Sequence, residues 1–433
     1  MNTAADVLAA AVASLDTSQW RPADEIAAAQ RKQLVQLAAH CEKYSAHFRG
    51  RLRDARLTPA DLGEPGGLGK LPLLSRRALQ SAPDVFCTAV PRHHMPLSET
   101  RTSGSTGEPV AVKRTAIGSL DWLATTMREH FWHRRDFSGR FCAIRANIMK
   151  LSQFGNWGPP ASLLRQTGPI LGIPITTPIR EQIALIAEFQ PDILLVYPNI
   201  LSAFTQHAET SGIRFPKLRQ ILSVGETLSP ELRARTITAL GVEISDIYSS
   251  QEVGNIALQC PQSNLYHVMA ENLIVEVVDE NGERVPNGKT GRIVVTDLHN
   301  FATPLIRYDI GDYAEAGPPC SCGRGLPTLA HILGRERNLI LMPDGSRHWP
   351  LMGYAKYREI APVRQYQVIQ ESREHVEMRL VVERPLTSQE EENLIAHVQA
   401  SLQYPFAIRL SYFEEKIPAS PTGKFEEFVC RAH

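Results

Sequence analysis

The chain has 433 residues, 43% hydrophobic and 21% charged, the composition of an ordinary globular protein long enough for two or three domains. Lys+Arg and Asp+Glu both total 46, and a zero net charge argues against a nucleic-acid or anionic-membrane partner. No apolar run approaches a membrane span. Val7 to Leu15, bracketed by Asp6 and Asp16 with no basic residue before it, is not a secretion signal, so a cytoplasmic location is expected.

Residues 1–60 are Ala-rich with helical periodicity, as in Ile26 to Cys41. A Gly-rich loop, Asp61 to Lys70, leads to a helix start at Ser75-Arg76-Arg77. Glu99 to Arg114 contains Thr102-Ser103-Gly104-Ser105-Thr106-Gly107, four hydroxyls and two glycines in six residues. That composition suits neither a core strand nor a helix. It reads as a surface turn or as a loop whose N–H and hydroxyl groups converge on an anion. Val110, Val112 and Lys113 form the return strand of a hairpin. Ser119 to Trp132 is helical, Arg140 to Ile144 is a strand, and residues 151–178 are loop-rich.

Helices over Ile179–Phe189 and Ile200–Ser211 then alternate with strands over Ile193–Val196, Leu218–Val224 and Val242–Tyr248. This alternation predicts a parallel α/β sheet, with ligands beyond the carboxyl ends of its strands. Gly225-Glu226-Thr227 and Tyr248 to Glu252 both fall at such ends. From Ile256 the pattern becomes antiparallel, with Asn281-Gly282 as a hairpin turn. After Gly334-Arg335 comes a smaller α+β unit with strands over Gln365–Gln370, Val376–Val382 and Ile408–Phe413 and a helix over Ser388–Leu402. The expected class is α/β, with a large domain at 1–334 (parallel α/β sheets plus a β-rich subdomain) and a small α+β domain at 335–433.

Six motifs stand in one order: the 102–107 loop, Ser223-Val224-Gly225-Glu226, Tyr248 to Glu252, Arg307-Tyr308-Asp309-Ile310-Gly311-Asp312, Gly334-Arg335 and Pro421-Thr422-Gly423-Lys424. Together they resemble the adenylate-forming superfamily, and Pro304 to Tyr308 with the Cys-rich insert resembles its phenylacetate–CoA ligase-like branch. The resemblance covers nearly the whole chain. It implies an AMP-forming ligase that joins a carboxylate to the α-phosphate of ATP, releases pyrophosphate, and passes the acyl group to a second nucleophile, usually CoA. It implies that Thr102, Ser103, Gly104, Ser105, Thr106 and Gly107 hold the β- and γ-phosphates. Tyr248 would stack on adenine, with Gly225, Glu226, Thr227 and Ser249 around the base. Asp312 would accept from the ribose hydroxyls, Arg335 would reach ribose or phosphate, and Glu252 would hold Mg²⁺. Lys424 would bridge the attacking carboxylate and the α-phosphate.

Asn147, Met149, Phe154, Trp157, Tyr197 and Ser249 suggest an acyl pocket with flat apolar walls, suited to an aryl acid. Seven unevenly spaced cysteines argue against a disulfide framework. Three of them, Cys260, Cys320 and Cys322, form with His267 a set suited to a structural Zn²⁺, and some members of the resembled branch have similar positions. Glu336-Arg337-Asn338 and Asp344 to Pro350 depart from the usual hinge and CoA-tunnel patterns. The acceptor is therefore CoA or, as the alternative, an amine, a hydroxyl or a carrier-protein thiol. A nucleotide-binding protein without turnover is a third class. A homodimer is left open.

Overall fold

The computed structural model describes residues 3–82, 85–101, 110–335, 339–348, 354–418 and 425–432. The chain divides into two compact units, 1–227 with 239–332, and 228–238 with 333–433. Among the described residues no helix is long and apolar enough to cross a membrane.

The large unit is built on a twelve-stranded sheet, counted among the described residues. Its parallel block runs Ile170–Pro174, Phe141–Arg145, Ile193–Val196, Gln220–Val224, Glu243–Ser250. Every residue of Ile193–Val196 is buried, as a parallel strand covered on both faces must be. The antiparallel strands bond directly onto this block, beginning with Gly254–Gln259 against Glu243–Ser250, so one sheet runs through both halves. Residues 151–178 hold more structure than their glycines and prolines suggest. Ile170–Pro174 is an internal strand there, with Ser152–Phe154 beside it at the sheet edge. A Cβ on Gly172 would come within 2.9 Å of the Ser152 hydroxyl, so the glycine admits the edge strand rather than breaking the sheet.

The N-terminal helices pack into this unit. The helix Ala4–Ser18 starts in a reciprocal cap, Thr3 with Asp6. Leu34, Leu37 and Cys41 of Ala23–Tyr44 and Phe48 and Leu52 of Ala46–Ala55 share a core with Ile274, Leu298 and Ile306. Arg307 stitches the same region. It is buried and left-handed (φ 54°), and its guanidinium donates to the carbonyls of Gly69, Leu71 and Gly282 at 2.5–2.7 Å and to Glu276 at 3.3 Å. Deeper in the unit, Glu129 pairs with Arg135, and His130 lies between Phe137, Phe141 and Trp157. Burial pushes His130 down to about 4 against the pull of Glu129, so its imidazole is neutral.

The small unit carries a four-stranded sheet in the order Ala407–Phe413, His375–Val382, Val363–Gln370, Phe428–Cys430. Its core joins Tyr366, Val368, Met378 and Leu380 to Leu394, Val398 and Leu402 of the helix Ser388–Leu402. Thr387 and Glu390 cap that helix reciprocally.

Candidate active site

The carboxyl ends of three neighbouring parallel strands meet around one ring. Tyr197 follows Ile193–Val196, and its hydroxyl accepts from the Ala146 N–H at 3.4 Å, just past Phe141–Arg145. Gly225 follows Gln220–Val224 with φ +82°, and a Cβ there would meet the Tyr197 ring at 2.7 Å. Only glycine lets the ring and this backbone come so close. Glu226 accepts from the Asn199 N–H at 3.0 Å and so caps the helix Pro198–Ser211. Thr227 is exposed beyond it.

One strand over, Val224 pairs with Ile247, which sets Gly225 beside Tyr248. Pairing with Gly254–Gln259 shifts register between Tyr248 and Ser249. Such irregularities re-aim side chains at the end of a strand. Tyr248 is buried and donates its hydroxyl to Asp312 at 2.8 Å, while Ser249 is half-buried. Asp312 sits on Tyr308–Ala316, so two motifs 64 residues apart share one hydrogen bond.

Glu252, buried in the turn after Glu243–Ser250, faces Arg76 at 3.3 Å. Arg76 begins the helix Arg76–Ser81, and that helix is tied to the strand of Asp312. Leu74 donates to the Arg307 carbonyl at 2.7 Å, and Asp309 donates to the Leu74 carbonyl at 2.9 Å. Arg114 donates to the Gln251 carbonyl at 2.5 Å and lies over the Trp122 ring. It ends the strand Ala111–Arg114, which pairs with Ser98–Arg101 as a hairpin. Thr102, Ser103, Gly104, Ser105, Thr106 and Gly107 lie outside the described residues, but the strand that follows them, Ala111–Arg114, meets the backbone next to Glu252 through Arg114. Lys424 also lies outside the described residues. Arg335 ends Thr328–Arg335 and belongs to the small unit.

Arg76 and Arg114 are the site residues that motif reading missed. For Arg76 there was a signal. Cations gain nothing from the first turn of a helix, whose dipole favours anions, so Arg76-Arg77 at a helix start asks for another partner.

The acyl-pocket set is not gathered in one place. Tyr197 is buried at the carboxyl ends, and Asn147 is exposed just past Arg145. Met149 and Phe154 are 87% and 62% exposed, with no covering partner among the described residues. Trp157 packs on Phe137 and Phe141 and donates its indole N–H to Gly139 at 2.9 Å. Gly139 and Phe141 lie at the amino end of Phe141–Arg145, opposite Tyr197, so Trp157 is a core residue.

The cysteine set does assemble. The ligand atoms of Cys260, His267, Cys320 and Cys322 all lie within 4.8 Å of one another. Cys260 and Cys320 are 3.8 Å apart, and Cys322 Sγ is 3.2 Å from His267 Nε2. Tetrahedral bonds of ~2.3 Å give sulfur–sulfur edges of about 3.8 Å, whereas a disulfide needs ~2.05 Å. Burial pushes His267 down to about 4, leaving a neutral imidazole. Gly254 pairs with Ser250 near Glu252, and Cys260 lies six residues further along the antiparallel strand. At ~3.3 Å per residue that is about 20 Å from Glu252, at the opposite end of the strand.

Residues 80–302, just over half of the chain, match the family described as AMP-binding enzyme. The chain belongs to the AMP-binding enzyme family. Residues 355–431 match a CapK C-terminal domain. A phenylacetate–coenzyme A ligase of Aromatoleum evansii is 27% identical over 330 residues, 74% of this chain and 72% of that protein. One from Thermus thermophilus is 25% identical over 336 residues, covering 74% and 73%. A crystal structure of 2-hydroxyisobutyryl-CoA ligase with R3-HIB-AMP superposes with a TM-score of 0.74 at 19% identity, over 95% of this chain and 91% of that one. The chain is thus an adenylate-forming, AMP-forming ligase of the phenylacetate–CoA ligase-like branch.

Proposed function

We propose that this AMP-binding enzyme activates an aromatic carboxylic acid with ATP and passes the acyl group to CoA. The observation that carries the reading is the Tyr248–Asp312 hydrogen bond, set beside Gly225 and Glu252 at the carboxyl ends of the parallel strands. An acid oxygen attacks the α-phosphorus, the bond to the β-phosphate oxygen breaks, and pyrophosphate leaves. The CoA sulfur then attacks the acyl carbon and AMP leaves. Tyr248 stacks on the base, with Gly225, Glu226, Thr227 and Ser249 bordering it. Asp312 takes the ribose hydroxyls, Arg335 reaches ribose or phosphate, and the 102–107 loop takes the β- and γ-phosphates.

Glu252 fits Mg²⁺, because it is a buried hard oxygen donor that at present needs a guanidinium opposite it. Bound there, the ion would draw charge from the phosphates. Cys260, His267, Cys320 and Cys322 fit a structural Zn²⁺ in donor type and spacing, and their place opposite the nucleotide end assigns it no catalytic step. The aryl preference rests on the phenylacetate ligases among the relatives and on the flat Tyr197 ring against Gly225.

Pyrophosphate exchange over a panel of aryl, amino-aryl and aliphatic acids tests the reading. Phenylacetate or a close aryl acid should drive exchange, and product mass should increase by the acyl group on CoA. Exchange with aliphatic acids alone sinks the aryl assignment, and product formed equally without CoA redirects the acceptor to an amine, a hydroxyl or a carrier thiol. Lys424→Ala should lower exchange by about 10²–10³-fold, the cost of one preorganised electrostatic contact.

A further inference from the structure

In the small unit, the side chains of three consecutive residues of Val363–Gln370, and the N–H of the next, hold the two stems of the segment that carries Lys424. Gln365 and Gln367 share one face of this strand because side chains alternate. The Gln365 amide oxygen accepts from the N–H of Ile417, which is buried, at 2.9 Å. The Gln367 amide nitrogen donates to the Glu426 carbonyl at 2.9 Å. On the opposite face, the Tyr366 hydroxyl donates to the Glu427 carboxylate at 2.8 Å. The Val368 N–H then donates to the Glu427 carbonyl at 2.8 Å, and Phe428–Cys430 continues in parallel with the strand.

The partners dictate which end of each amide is used. A backbone N–H can only donate, so Gln365 must offer its oxygen. Arg379 can only donate, and it takes the Gln367 oxygen at 3.4 Å, which leaves the NH₂ for the Glu426 carbonyl. Neither amide is needed to complete a strand ladder. Their shared effect is to hold Ile417 and Glu426 on one strand. Lys424 is two residues before Glu426. Two residues of chain span at most about 7 Å, so the clamped stem limits where the lysine can be.

We propose that Gln365 and Gln367 are positioning residues for adenylation, acting through the stems of the Lys424 segment. This rests on the reading of Lys424 given above. Their roles are opposite in kind: Gln365 is needed as an acceptor and Gln367 as a donor. Gln365→Glu keeps the acceptor and should exchange pyrophosphate within about threefold of the parent, whereas Gln365→Leu should lose about tenfold. Gln367→Glu sets a carboxylate against the Glu426 carbonyl and should lose about tenfold or more despite its closer match to Arg379.

Each variant is also given phenylacetyl adenylate with CoA (or the adenylate of the acid the panel selects), which bypasses the step assigned to Lys424. Thioester formation should stay within about twofold of the parent in every folded variant. Equal losses in both half-reactions would mean that the glutamines only stabilise the unit, and normal exchange in Gln365→Leu and Gln367→Glu would overturn the proposal. Lys424→Ala is measured alongside. If it too exchanges normally, the lysine reading has failed; if it alone is impaired, the clamp has failed. Should Gln367→Glu not fold, the Gln365→Glu and Gln365→Leu pair decides between acceptor loss and no effect.

Discussion

Arg307 belongs to the motif that ends in Asp312, yet its guanidinium is spent inside the protein on Glu276 and three carbonyls. Arg307→Ala would strand the Glu276 charge and leave those carbonyls without their donor. The expected loss is about 3–5 kcal/mol in denaturant unfolding, and an unchanged midpoint would contradict the buried pairing. Arg307 and Asp312 are five positions apart and do different work, one locking the fold and one meeting Tyr248 at the carboxyl ends of the parallel strands. At this scale the sequence was legible where chemistry constrains a residue narrowly. Tyr248 and Asp312 meet, as do the three cysteines and His267. It was not legible for Trp157, Met149 and Phe154, since an aromatic or apolar residue suits a pocket wall, a core or a surface equally well. Only the third dimension separates them.

The Cys–His quartet draws its members from separate elements. Tyr266–Val268 has three residues, and Cys320 and Cys322 lie in the connection between Tyr308–Ala316 and Thr328–Arg335. The Ser263 hydroxyl meets Cys320 Sγ at 3.3 Å, and the Trp132 ring stands edge-on to His267. Protein purified without chelator should hold about one zinc per chain. Cys320→Ser should lose that metal and melt at least about 5 °C lower, yet keep pyrophosphate exchange within a few-fold below its melting range. Metal-free wild-type protein with the same melting temperature would rule the site out. The internal strand Ile170–Pro174 was missed for a reason at this same scale. Its Gly172 and Pro174 are poor strand formers taken alone, and the close approach of Ser152 that calls for the glycine is not a local property.

Across the whole molecule, buried neutral histidines tie stability to pH. His130 and His94 are both held near 4, chiefly by burial, against about 6.5 in the unfolded chain. Their folded values are depressed, so this stability is complete above about pH 6.5 and is lost as pH falls toward 4. For His130 the loss is of order 3 kcal/mol. Asp297, pushed up to about 6 by burial, works in the opposite sense and softens the fall. Urea midpoints should therefore drop between pH 6.5 and 4.5, and His130→Phe should drop less than the parent; equal slopes would remove His130 as a cause. The alternation of helices with uninterrupted apolar strands made the parallel block legible. That the antiparallel strands join the same sheet was not, because pairing between distant strand edges leaves no mark in either segment.

The shared core of the N-terminal helices has a consequence for how the chain is made. Leu34, Leu37, Phe48 and Leu52 find their cover in Ile274, Leu298 and Ile306, and residues 69–71 wait for the Arg307 side chain. A ribosome releases the first helices more than two hundred residues before those partners exist. During that interval Leu62, Leu68, Leu71 and Cys87 supply the nearby part of this core, and the faces that await Ile274, Leu298 and Ile306 stay open, the kind of surface that draws chaperones or neighbouring nascent chains. Residues 34–52 are therefore made well before the distant partners that complete their core.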